Sequence, residues 1–292
     1  PGKRHLVISA VEHPAVMAPA QHLQARGWAL TIVPVDGDGR VSVDAVAAAL
    51  RAETAMVSVM HANNEVGTLQ PVAGIAALTR PRGILLHTDA AQSAGKVALD
   101  VDALGVDLLT LAGHKFYAPK GVGALYVRAG TPIAPVLFGA GQERGLRPGT
   151  ENVAAIVGLG AAAALALQSL PHITASLRRR RDELHQTLAG AVADLRLNGH
   201  PEHRLPNTLH LSFPRVSGRD LLHAAGGAVA ASVGSACHSE HDAVSGVLAA
   251  MGLSAARAAG AVRLSVGRTT TEDDVRRAAG ALADAWRRLA AG

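Results

Sequence analysis

Asp107-Leu108-Leu109-Thr110-Leu111-Ala112-Gly113-His114-Lys115-Phe116-Tyr117 is the stretch from which the fold is read. The run from Val106 to Leu111 is apolar and short, which predicts a buried strand of a parallel sheet rather than a helix. It leads into a turn of small residues that presents His114 and Lys115 side by side. In open α/β sheets, ligands gather at the carboxyl ends of the strands, where this lysine stands. A lysine held there under little side-chain bulk can lose its proton and attack a carbonyl carbon, which makes Lys115 a candidate Schiff-base lysine. Read alone, the same residue also fits an ordinary solvated surface lysine.

A second apolar run lies upstream, Ile84-Leu85-Leu86-His87, and it ends in Thr88-Asp89-Ala90-Ala91-Gln92. A carboxylate at that strand end can keep a pyridine nitrogen protonated, and the amide of Gln92 can bond a ring hydroxyl. Pyridoxal 5'-phosphate (PLP) is the cofactor that uses a lysine and a carboxylate in this way. Asp89 also fits a simple cap on the segment that follows. Its pairing with Lys115 on consecutive strands favours the chemical reading.

Three motifs carry a wider resemblance. His87-Thr88-Asp89-Ala90-Ala91-Gln92, Gly113-His114-Lys115-Phe116-Tyr117, and Gly141-Gln142-Glu143-Arg144 ahead of Arg147-Pro148-Gly149-Thr150-Glu151-Asn152 resemble class V aminotransferase-fold enzymes. Within that group the chain is similar to cysteine desulfurases and the related selenocysteine lyases, over essentially its whole length. The resemblance implies an α/β PLP-dependent transferase fold of the aspartate aminotransferase type. Such a fold has a mostly parallel sheet with helices on both faces and a smaller α+β C-terminal domain. It implies that Lys115 carries PLP, that His13 stacks on its ring, and that Asp89, Gln92 and Asn64 bond the ring. His114 and Thr150 would hold the phosphate, Thr150 that of the partner subunit in a homodimer. Arg263 and Asn64 would bind the substrate carboxylate, and Cys237 would act as nucleophile. In the family, further strands and a Gly/Thr-rich phosphate loop precede the point at which Pro1-Gly2-Lys3-Arg4 opens the chain, so the N-terminal part of the fold is expected to be missing.

Composition agrees. A hydrophobic fraction of 49% with only 2% aromatics predicts a core of Ala, Val and Leu. No apolar run is expected to reach a membrane span, and nothing reads as a signal peptide. One cysteine, Cys237, excludes internal disulfides and fits a reducing, cytoplasmic setting. The net charge of +5 comes from scattered arginines without an aromatic-laced basic face, so no nucleic-acid partner and no metal site are expected.

Taken in order, the spacing predicts strands over 5–10, 28–35, 55–60, 84–87, 106–111 and 123–127, alternating with helices. Pro14 suits the first turn of a helix to Gly27, and His13 before it fits a helix cap as well as a ring-stacking imidazole. Asn64, in His61-Ala62-Asn63-Asn64-Glu65, fits turn chemistry or a bond to cofactor or substrate. A long alanine-rich helix is expected from Glu151 to Pro171 and a second, arginine-rich helix to about Leu195. These place a boundary between a large domain, 1–167, and a small domain, 168–292. In the small domain, strands are expected over 208–213, 228–232 and 261–266. Helices are expected over 219–225 and 243–251 and after Thr271.

Two features of the small domain carry chemistry. Ser232-Val233-Gly234-Ser235-Ala236-Cys237-His238-Ser239 is a small-residue loop in which Cys237, with His238 and His241 nearby, can act as a thiolate or remain an inert thiol. Arg263, set among apolar residues, needs an anion: a substrate carboxylate held bidentately or a structural salt-bridge partner.

The implied activity is conversion of L-cysteine to L-alanine, with the sulfur left on Cys237 as a persulfide for a sulfur-acceptor protein. Two other readings stand beside it: a selenocysteine lyase, and a catalytically inactive PLP-fold chain that serves as an interaction partner. Ala112 stands where many desulfurases have a phosphate-binding serine, a loss on the order of 1.5–3 kcal/mol if nothing replaces the hydroxyl.

Overall fold

The structure, a computed structural model, describes residues 2–233 and 245–291. Five-residue apolar runs open most repeats of the first half, and each becomes a strand. The order is β1 (His5–Ser9), α1 (Pro14–Ala25), β2 (Ala29–Val33), α2 (Val43–Ala49), β3 (Thr54–Ser58), α3 (Val72–Thr79), β4 (Leu85–Asp89), α4 (Val101–Leu104), β5 (Leu108–Ala112) and β6 (Gly123–Val127). They form one six-stranded sheet in the order β2-β1-β3-β4-β5-β6, parallel except for β6, which pairs antiparallel to β5. Val7, Val57, Leu86 and Leu109 are fully or almost fully buried under α2 and α3 in the main core. Ser42 caps α2, its hydroxyl accepting from the Asp44 and Ala45 amides.

The second half is α5 (Val153–Ala191), β7 (Arg196–Asn198), β8 (Thr208–Ser212), α6 (Gly218–Ala225), α7 (Gly246–Ala250), α8 (Ala255–Ala259), β9 (Ala261–Ser265) and α9 (Glu272–Ala290). A three-stranded antiparallel sheet, β7-β8-β9, turns Leu209, Leu211, Val262 and Leu264 onto α9 and the second half of α5. A fully buried leucine there contributes about 2 kcal/mol, so this face alone anchors the small unit. Thr271 and Asp274 form a capping box at the start of α9.

Four expectations need correction. Pro171 does not end a helix: α5 runs unbroken for 39 residues, and the boundary placed at 167 falls inside it. Both halves of α5 are held by packing, Ala155 and Ala162 buried toward the first domain and Leu177, Leu184 and Leu188 in the second core, which outweighs the lost amide. The strand expected over 228–232 is instead a 3-10 turn, Gly226–Ala228, followed by a single bridge between Ser232 and Arg263. β7 was not foreseen. Finally, α5 contains an 18-residue window long and apolar enough to cross a membrane by composition, and only 11% of that window is buried.

Candidate active site

The carboxyl ends of β1, β3, β4 and β5 bring together most of the residues singled out from sequence. Asp89 closes β4, directly opposite Thr110 of β5. Its Oδ1 accepts from the Ala91 amide at 2.9 Å and its carbonyl accepts from the His61 amide at 2.8 Å, so the capping geometry foreseen for Asp89 is present. The residues after it form turns, not a helix, and Gln92 lies there half-buried.

Lys115 follows β5 on a 3-10 turn, Gly113–Phe116. Two glycines let that turn sit close to its neighbours. A Cβ on Gly113 would lie 2.8 Å from the Val122 carbonyl oxygen, to which the Gly113 amide donates at 3.0 Å. A Cβ on Gly95 would press to 3.1 Å on the Phe116 Cβ. Phe116 is buried with Ala94 and Ala162, and it pins the turn while Lys115 and His114 stay exposed. Tyr117 ends the turn in the left-handed region at φ 73°, and its hydroxyl accepts from the Arg268 amide at 2.8 Å.

Arg263, on β9, reaches across from the small sheet. Its Nη1 donates to the Asn64 carbonyl at 2.9 Å, 199 residues away in sequence. No carboxylate pairs with it among the described residues, so the structural salt bridge is not found there. His13 is half-buried, and its Nδ1 accepts from the Ala15 amide at 3.1 Å. The helix-cap reading of His13 is therefore realised, alongside whatever its ring faces. A cleft of about 290 Å³ is lined by Glu12, His13, Asn64, Glu65 and Val247 among others. A wider cleft of about 520 Å³ between Pro34 and Pro71 contains none of the residues named from sequence.

Thr150 lies exposed on the loop between β6 and α5. Cys237, with His238 and His241, lies outside the described residues, as does the start of the helix expected at 243.

Three further groups belong to this site. Glu12 is 7% exposed; its Oε1 accepts from the Ser9 hydroxyl at 2.5 Å and the Met60 amide at 2.8 Å, while Oε2 has no partner among the described residues. Burial, reinforced by the nearby Asp89 carboxylate, pushes its pKa up to about 8. Lys96 donates to the Gln92 carbonyl at 2.8 Å; burial, then the charges of Lys115 and Arg263, push it down to about 8. His61 is buried and bonded through Nδ1 to the Ser93 hydroxyl at 2.7 Å, and burial lowers it to about 4. The adjacency of Glu12 to His13 after a strand and the desulfurase-like place of His61 ahead of Asn64 hinted at two of these; Lys96 carries no signal in sequence.

A model of the family described as "Aminotransferase class-V" matches residues 1–278. The chain is 42% identical to cysteine desulfurase IscS of Dictyoglomus turgidum over 93% of its own length and 69% of that protein's. It is likewise 42% identical to cysteine desulfurase NifS of Azotobacter vinelandii, over 95% of the chain and 69% of the relative. Among solved structures, a NifS-like protein superposes with a TM-score of 0.89 at 35% identity, covering 97% of this chain and 74% of that one. SspA in complex with cysteine superposes at 0.76 and 33% identity, covering 91% and 74%. The chain belongs to the class V aminotransferase family, a family of PLP enzymes. Its relatives within that family are cysteine desulfurases.

Proposed function

We propose that the protein is a PLP-dependent cysteine desulfurase that converts L-cysteine to L-alanine and passes the sulfur, through Cys237, to an acceptor protein. The observation that carries this is the convergence of Asp89 and Lys115 at the ends of paired strands, faced by an Arg263 that has no carboxylate partner among the described residues. The residues present suit PLP. Lys96 feels the charges of both Lys115 and Arg263, a cationic setting that suits an anionic group, and the Glu12 and Asp89 carboxyls lie near one another.

When bound, PLP supplies an electron sink for the electrons released at the amino acid's α-carbon. Lys115 anchors the cofactor and moves the proton at that carbon. The Asp89 carboxylate holds a proton on the ring nitrogen, Gln92 and Asn64 bond polar groups of the ring, and His13 covers its face. His114 donates to the phosphate. The Arg263 guanidinium orients the substrate by its α-carboxylate. Cys237 attacks the substrate sulfur as a thiolate; the Cβ–S bond breaks, and a persulfide remains on the enzyme.

The active unit in this reading is a homodimer, with Thr150 completing the partner's phosphate site. Val136 and Phe138, 89% and 87% exposed on the same loop, and the bare apolar flank of α5 are what a second copy would cover. Ala112, at the end of β5, keeps selenocysteine open as the alternative substrate.

Reconstitution with PLP tests the reading. The parent is expected to gain a visible cofactor band and to release alanine from cysteine. Lys115→Ala should lose both, and Cys237→Ala should keep the band and lose sulfur release. Turnover retained in Lys115→Ala, or a parent active on selenocysteine alone, would refute it.

A further inference from the structure

His210 stands directly opposite Arg263 across the β8–β9 ladder. Side chains alternate along these strands. Leu209 and Leu211 with Val262 and Leu264 enter the small-domain core, so His210, Ser212 and Arg263 share the other face. Arg263 leaves that face toward Asn64, while the His210 ring stays wholly buried beside it.

A chain of hydrogen bonds fixes which nitrogen of His210 carries the proton. Arg257 Nε donates to Asn198 Oδ1 at 2.9 Å, and Arg257 Nη2 donates to the Leu197 carbonyl at 2.7 Å. With its oxygen thus committed, Asn198 must turn its amide nitrogen inward. Nδ2 donates to the Ser212 hydroxyl at 2.8 Å and to His210 Nδ1 at 3.0 Å. Nδ1 is therefore an acceptor, and by this assignment the proton sits on Nε2, which has no partner among the described residues. A buried donor left unpaired is unfavourable, a cost that an apolar residue would avoid. Burial, with Arg263 and then Arg257 adding to it, lowers the ring to about pKa 3, so it is uncharged throughout the working range.

The chemical consequence falls on Arg263. Cross-strand partners on one face sit about 5 Å apart at Cβ, within easy reach of a guanidinium. An Asp, Asn or Glu at position 210 would offer Arg263 an acceptor inside the protein and occupy it. The Nε2–H tautomer of histidine offers it none.

We propose that His210 is a positioning residue that, by presenting only a donor beside Arg263, keeps that guanidinium available to the α-carboxylate of the amino-acid substrate. This rests on the desulfurase reading for the identity of the substrate, and it adds a determinant of carboxylate selectivity that lies behind the site.

The test compares L-alanine with ethylamine, which is alanine without its carboxylate. Binding of each to the PLP-loaded enzyme is followed by the cofactor's absorbance in the parent, His210→Leu, His210→Asn and His210→Asp. The expected order of the alanine-to-ethylamine preference follows the acceptor offered: Leu close to parent, Asn lower, Asp lower by about tenfold or more, the scale of losing a charge-assisted contact. Ethylamine binding should hardly move in any of them, and the KM for cysteine should rise in His210→Asp with little change in kcat. If His210→Asp fails to fold, the order of Leu and Asn decides. Equal weakening of both ligands, or a larger loss of preference in Leu than in Asn, would overturn the proposal and leave His210 a structural residue. A parent that prefers alanine but releases no sulfur from cysteine would instead overturn the desulfurase reading and leave this one standing.

Discussion

Replacing Glu12 with Gln isolates the effect of one proton on the stability of the large domain. Glu12 is buried and bonded through Oε1 alone, and its pKa is raised from the ordinary 4.5 to about 8. Because the folded-state value lies above the unfolded one, the folded chain keeps its proton between those limits while the unfolded chain gives it up. Unfolding then releases a proton, and stability falls as pH rises. The contribution is fully present below pH 4.5 and lost through pH 8, at about 1.4 kcal/mol per pH unit. The whole span amounts to on the order of 5 kcal/mol.

Gln keeps an oxygen for Ser9 and Met60 but sets two N–H donors where the protonated carboxyl sets one O–H, at an atom with no partner among the described residues. That adds a pH-independent cost on the order of 1–3 kcal/mol. The variant should therefore be the less stable protein at pH 5 and the more stable one at pH 8. The assay is urea unfolding at pH 5 to 9, comparing the two chains so that every other titrating group cancels. Trp28 packs on the β1 side, against Leu6 and Ile8, while Trp286 lies in the small-domain core. Fluorescence in a Trp286→Phe background thus reports the half of the molecule that holds Glu12. A stability difference that does not change with pH, or one that moves against the variant as pH rises, would show that Glu12 is ionised in the folded chain and refute the reasoning.

Gly113→Ala should cost about 1–3 kcal/mol, because the new Cβ meets a backbone oxygen that can yield only by moving β6. The displaced turn carries Lys115, so the variant should also retain less PLP on dialysis. Unchanged retention would show that the turn has slack. Phe138→Asp should leave the melting temperature of the fold unchanged, since the ring is 87% exposed, and should shift the sedimenting species from dimer to monomer. A monomeric parent, or a variant that remains dimeric, would contradict that role for the loop.

Much of the scaffold could be read from apolar runs bounded by turn residues. Leu85–Asp89 and Leu108–Ala112 are strands because each is short, apolar and closed by small residues. Once both belong to a parallel sheet, Asp89 and Lys115 must emerge at the same edge. What failed was local punctuation that packing overrides. Pro171 reads as a stop, yet the flanking turns of α5 are each buried in a different core. Ala228 to Ser232 has strand composition, but it pairs with β9 at Ser232 only. Arg196–Asn198 escaped notice because three residues with one apolar side chain carry no period.

The same contrast separates the foreseen site residues from those that the fold adds. Lys115 and Asp89 announce themselves because their own neighbours are unusual for surface residues. Glu12, Lys96 and His210 acquire their properties from elsewhere: the Met60 amide of another strand end, the Gln92 carbonyl, and an Asn198 held by Arg257. These partners lie from four to 59 residues away along the chain. No spacing rule links them, and their effect depends on burial that only the assembled sheets supply. A residue at the cleft can be named from its neighbours in sequence; a residue that governs the charge of the cleft from behind can be named only from its neighbours in space. His210 is the plainest case. In sequence it is one polar residue of an alternating strand, and only its register against Arg263 gives it a bearing on which substrates that guanidinium can hold.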